Sequence, residues 1–329
     1  MVQRIAYGFE PDLPGFEGMS PEEAGRRLRE IGCDGVFMHH PDRAWVDGLH
    51  AARLRVYVSQ GIFAGRGIWG QFPSSRPITD EGTLAPREEW YEPAIPTLPE
   101  LRAYRLDELE DTARSAPIDG LWLDFIRWPA RWEKAQPRLY HSSFDPITLR
   151  QFQEDTGISL PEEATQPAEA AHWILAHAAE PWFDWRCQQI VSFVAEARAR
   201  LHRHLPDALL GMFTVPWTEE DFNGTFIRIV GQDPARLASH VDVFSPMVYH
   251  RLCGRDVAWI GQVSRWVHER SGRSVWPIIE AIASPDEYPA SEFAATWREA
   301  LNASAGTAIV FTLTGLLQDP TRVNVWEAS

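Results

Sequence analysis

Eight short apolar runs, each bounded by turn residues and separated by helical patterns, constrain this chain more than any other feature. The runs are Arg4–Phe9, Gly35–His39, Arg55–Ser59, Gly120–Phe125, Leu209–Phe213, Val241–Tyr249, Val275–Ile279 and Thr307–Thr312. They are almost continuous in Val, Ile, Leu and aromatic residues, as parallel strands covered on both faces are. Ser20 before Pro21-Glu22-Glu23 reads as a helix N-cap with proline and acids in the first turn. Helical spacing continues in LPELRAYRLDELEDTARSA, PWFDWRCQQIVSFVAEARARLHRHL, DPARLASH, DVAWIGQVSRWVHERSG and SEFAATWREALNASAG. Strand and helix alternate eight times, which predicts an α/β fold: a (β/α)8 TIM barrel, one domain over residues 1–329. An open doubly wound sheet fits less well, because no Gly-rich phosphate loop follows the first run.

Two connections are far longer than a compact barrel needs, Gly61–Pro96 after the third run and Pro129–Pro181 after the fourth. Loops of that length carry function or extra elements. The first holds Trp69, Phe72, Trp90 and Tyr91, and the second holds FDPITLRQFQEDTGISLP, which reads as an inserted helix. Both leave the C-terminal ends of strands, the face on which barrel enzymes keep their chemistry.

The balance of charge narrows the partners. With 31 Lys and Arg against 46 Asp and Glu, the net charge is −15. Nucleic acid and anionic membrane are disfavoured, since phosphate binding needs clustered cations. A neutral or cationic substrate fits. Cys33, Cys187 and Cys253 have no metal-ligand spacing, so no metal or cofactor is expected, and sparse thiols fit a reducing compartment. The N-terminal MVQRIAYGFEPDLPG has no apolar signal core, and no apolar run reaches membrane-spanning length, so a cytoplasmic location is expected. Fifteen tryptophans are present, many in loop-like stretches. They are core filling or platforms for sugar rings.

Polar residues gather at the predicted strand ends. His39 and His40 end the second run, Ser59 and Gln60 the third, Asp124 the fourth with Arg127 and Trp128 next, and Tyr249 and His250 the sixth. Trp217, Glu219, Glu220 and Asp221 follow the fifth, and Glu280 ends the seventh. Two carboxylates facing each other are what glycosidic cleavage requires, one to protonate the leaving oxygen and one to attack or to activate water. Asp124 and Glu280 are the leading pair, with Glu219, Glu220 and Asp221 as rival partners for Asp124. Structural alternatives stand beside them: an Asp124–Arg127 ion pair, and acids placed to favour a helix start in TEEDF. His39, His40, Gln60, Trp69, Arg127, Trp128, Trp217, Glu219, Asp221, Tyr249 and His250 are candidate substrate contacts. Adjacent His39 and His40 would face opposite ways on a strand, which argues against their sharing a metal ion.

The stretch DGLWLDFIRWP, Asp119–Pro129, resembles the fourth-strand motif of bacterial barrel glycoside hydrolases of the GHL10 or DUF4015 type. FDPITLRQFQEDTGISLP and VDVFSPMVY are similar to the segments after strand four and along strand six of that group. The resemblance implies a barrel related to amylase-like retaining enzymes, with Asp124 as nucleophile. It supplies no second acid. The expected function is therefore glycoside hydrolysis by a carboxylate pair. A non-catalytic carbohydrate-binding barrel and a metal-dependent hydrolase are the alternatives.

Overall fold

The computed structural model describes residues 2–281 and 287–328. Its main sheet contains β1 (Gln3–Tyr7), β2 (Gly35–Met38), β3 (Arg55–Gly61), β4 (Gly120–Asp124), β5 (Leu209–Thr214), β6 (Val243–Pro246), β7 (Ser274–Val275), β8 (Ile278–Glu280) and β9 (Thr307–Phe311). Every pairing in it is parallel, in the order β8-β9-β1-β2-β3-β4-β5-β6-β7. The two ends of that row are neighbours in the chain, separated only by Trp276-Pro277. A parallel bridge joins Met247 to Ile278, and the Val248 amide donates to the Ile278 carbonyl at 3.0 Å. The sheet thus curls into a barrel-like α/β fold. Each expected strand is present. The seventh is split because Pro277 has no amide to give to the ladder, and the sixth is shorter than its apolar run.

The helices lie between strands as the sequence predicts. α1 (Pro21–Glu30) begins with a capping box: the Glu23 amide donates to Ser20 Oγ and the Ser20 amide to Glu23 Oε2. α2 (Arg43–Ala51), not singled out by periodicity, is capped by Asp42. α3 (Pro99–Ser115) precedes β4. Two helices occupy the long insertion, α4 (Pro146–Thr156) and α5 (Pro167–His177), where the sequence announces only the first. Asp145 caps α4 by accepting from the Ile147 and Thr148 amides at 3.0 Å. α6 (Ala179–His204), α7 (Ala258–Ser271), α8 (Ala290–Ala303) and α9 (Pro320–Glu327) complete the outer layer. Among the described residues no helix is long and apolar enough to cross a membrane. All three cysteines are buried free thiols.

The barrel interior is aromatic. Trp122 is fully buried, stacks on Trp276 with ring centroids 5.3 Å apart, and meets Tyr57 and Phe37 edge-on. Its indole N–H donates to Ser245 Oγ at 3.0 Å. Because side chains alternate along a strand, inward Trp122 sets Asp124 inward, and inward Trp276 sets Ile278 and Glu280 inward. The core thereby fixes the direction in which both acids point.

Candidate active site

Asp124 ends β4 at a cavity of about 300 Å³. The cavity is walled by Trp90, Phe125, Trp132, Met247, Tyr249, Leu252 and Phe311, with Arg127, Arg131 and Glu133 as its other charged members. Tyr249 stacks between Trp132 and Phe311, with centroids 5.7 and 5.4 Å away. An apolar wall with a few convergent polar groups is the usual form of a small-ligand site.

The backbone aims Asp124 deliberately. Phe125 has φ 50°, a left-handed conformation that a bulky side chain rarely adopts. Its amide turns back to donate to Asp124 Oδ1 at 2.7 Å. The Ile62 and Phe63 amides, just past β3, bind the carbonyls of Asp124 and Phe125 at 2.9 and 3.2 Å. The Phe125 ring is held by Tyr91 at 4.8 Å and Trp90 at 5.4 Å. Burial pushes the Asp124 carboxyl up to about 6, against the opposing Phe125 amide and Arg127 charge, with Glu133 adding to the rise.

Glu280 ends β8 beside Phe311, its register partner on β9. It is 2% exposed, and burial raises it to about 7 against the Arg251 amide that donates to Oε1 at 3.2 Å. Glu280 does not itself line the cavity. It lies behind Tyr249 and Leu252, which do. Burial and the negative charges of Asp124 and Glu280 together push the Tyr249 phenol well above its ordinary value. His250 Nε2 is 2.9 Å from Glu292 Oε1, and its Nδ1 is 3.8 Å from Glu280 Oε1.

Other expected residues fall elsewhere. Arg127 makes no ion pair with Asp124 among the described residues. Its guanidinium is buried, and Nη1 donates to the Ala130 carbonyl at 3.0 Å. Trp128 is fully buried, donates to the Arg186 carbonyl, and stacks under the Arg186 guanidinium, so it is core and not a sugar platform. Trp217 is likewise buried, against Phe222. Trp69 lies outside the cavity, tied to the Pro93 carbonyl and covered by Arg76. Gln60 turns outward to the Arg105 carbonyl on α3. Glu219 and Glu220 are exposed, Glu219 facing Arg270, while Asp221 binds Arg255. None of these three acids enters the cavity.

His39 and His40 are exposed past the end of β2, their ring centroids 6.5 Å apart. His39 Nδ1 lies 2.8 Å from Glu10 Oε1, and its Nε2 lies 3.4 Å from the Tyr7 hydroxyl. That phenol donates to Ser59 Oγ at 3.2 Å and is raised by burial and then by Asp124. Glu10, Tyr7, Trp132 and Glu133 thus join the site without having been singled out. For Glu133 the only signal is its place in RWPARWEK, nine residues beyond Asp124. It is tied to Arg131 at 3.4 Å and receives the Trp132 amide.

Neither protein-family models nor curated sequences match this chain. Solved structures do. The glycoside hydrolase domain of PgaB (BpsB) from Bordetella bronchiseptica superposes with a TM-score of 0.72 at 15% identity, over 99% of this chain and 98% of that one. A beta-galactosidase from the psychrophilic Marinomonas ef1 gives 0.69 at 11% identity, and one from Rahnella sp. R3 gives 0.66 at 11%. In both cases the likeness covers 99% of this chain, which spans 58% and 55% of those longer ones. At such identities the likeness establishes the fold. Function is carried by the site.

Proposed function

We propose that this chain is a glycoside hydrolase, a single (β/α)8 domain of the GHL10-like kind, in which Asp124 and Glu280 form the catalytic pair. One observation carries the reading. Two inward carboxylates from separate strands, both raised by burial, flank one tyrosine of an aromatic-walled cavity at the strand ends. A raised carboxyl at a cleft, Asp124, with a second, Glu280, directly behind the cleft wall, suits acid–base chemistry at neutral pH. Trp90, exposed at the cavity, offers a ring face to a sugar, and His39 and Arg127 offer polar contacts. The likeness to glycosidase folds supports the reaction class. The negative balance favours a neutral or cationic glycan over a polyanionic one, and neither nucleic acid nor membrane as partner.

The test is release of reducing ends from a panel of glycans and aryl glycosides. D124N and E280Q should each lose turnover by at least about a thousandfold while circular dichroism stays unchanged. Full activity in either variant removes that residue from the pair. Because Glu133 lines the cavity, a second reading gives it the partner role. E133Q with lost activity beside an active E280Q would select it.

A further inference from the structure

Three side chains around Glu280, those of His250, Arg251 and Glu292, form a chain of contacts that the carboxylate pair alone does not explain. Glu292, in the first turn of α8, accepts from Arg251 Nε at 2.8 Å and Nη2 at 2.7 Å. Those bonds, then His250, hold its carboxyl far below the ordinary range, so Glu292 is an acceptor only. His250 Nε2, 2.9 Å from that acceptor, must therefore carry the ring proton. The other nitrogen, Nδ1, is buried and has no hydrogen-bond partner among the described residues. It faces Glu280 Oε1 at 3.8 Å, the nearest approach of the two side chains and just beyond hydrogen-bond distance. In the neutral ring this nitrogen is a bare acceptor, and a bare acceptor favours a protonated carboxyl over an ionised one.

We propose that Glu292 acts through His250 to keep Glu280 as the proton-bearing member of the pair, which makes Glu280 the proton donor and Asp124 the nucleophile or base. The inference rests on the glycosidase reading and adds an order to its two acids. As the glycosidic C–O bond breaks, the Glu280 proton passes to the departing oxygen, which keeps the bonding electron pair. The anomeric carbon receives an electron pair from ionised Asp124, or from water that Asp124 deprotonates. Glu280 is left ionised. It regains a proton from the water of the second step, or from solvent if the reaction takes one step. His250 and Glu292 are positioning residues.

The charged and titratable groups around Glu280 act in both directions. Arg251, through amide and guanidinium, favours the ionised form. Glu292 favours the protonated form. Tyr249, Cys253 and Tyr288 are buried and all raised, so they remain neutral neighbours, and Arg322 reaches the Ala281 carbonyl from α9.

The decisive experiment is nitrogen-15 NMR of histidine-labelled protein, with His250 assigned from H250Q and Glu280 titrated by carbon-13 against E280Q. In the wild type the ring should carry its proton on Nε2 and leave Nδ1 bare. A doubly protonated ring, or a proton on Nδ1, overturns the proposal, and this readout needs no variant to fold. In E292Q the Glu280 midpoint should fall by about one pH unit, since the tautomer is released and Arg251 is unpaired. An unmoved midpoint also overturns it. If no glycan is cleaved while these signatures hold, the glycosidase reading fails and the positioning stands. If glycans are cleaved and the basic limb of the rate profile is the same in E292Q, the positioning fails and the glycosidase stands.

Discussion

Gly211 and Trp122 share one space on the barrel floor: a Cβ on residue 211 would lie 2.0 Å from Trp122 Cε2. Glycine is needed there for close approach and not for a turn. Overpacking of that kind costs about 1–3 kcal/mol or more. G211A should therefore lower the unfolding free energy by at least about 1 kcal/mol, read as a lower urea midpoint at an unchanged slope. An unshifted midpoint would mean that the floor is looser than its ring contacts imply.

The two raised carboxyls make a statement about stability. A carboxyl whose folded value exceeds its unfolded one favours the fold while protonated, and that advantage disappears as pH rises from the unfolded value through the folded one. For Asp124 this interval runs from 3.8 to about 6, and for Glu280 from 4.5 to about 7. D124N and E280Q, which cannot ionise, should melt higher than wild type at pH 8 and nearly together with it at pH 4. Lower melting at pH 8 would show that the ionised carboxylates are favourably bound in the fold.

Activity should follow a bell. Ionised Asp124 is gained as pH rises through about 6, and protonated Glu280 is lost through about 7. The rate maximum should lie between those limits, which belong to the coupled pair as macroscopic values. A rate that keeps climbing to pH 9 would exclude Glu280 as the donor.

The tryptophans divide into two kinds by their neighbours. Trp90 is 46% exposed at the cavity. W90A should raise KM severalfold and change stability by under about 1 kcal/mol. W128A removes a buried ring beneath Arg186, and should cost about 3–5 kcal/mol. Thermal melts and steady-state kinetics on the two variants separate platform from core.

Much of this architecture is legible in the residues themselves. The strands are readable because a strand covered on both faces must be apolar throughout, and Asp124 and Glu280 stand out as charges at the ends of such runs. Trp128 is not readable as core, since its burial depends on Arg186, distant in sequence, and Trp217 packs on Phe222 within an irregular loop that carries no periodic signal. Gln60 misleads for a local reason. It follows inward Ser59 by one residue, and one step along a strand reverses direction. Glu133 and Trp132 lie in a loop without periodicity, where only folding decides what returns to the mouth. The insertion's second helix is likewise concealed, its start marked by Gln166 in place of a strong capping residue.

The left-handed Phe125 distributes control of the reactive carboxyl across the chain. β4 determines where Asp124 stands, but Trp90 and Tyr91, more than thirty residues earlier, grip the ring whose backbone orients it. The same Trp90 also borders the space a substrate would occupy. Divergence in that loop would therefore alter what is bound and how readily it reacts in a single step, leaving the strand that bears the acid untouched.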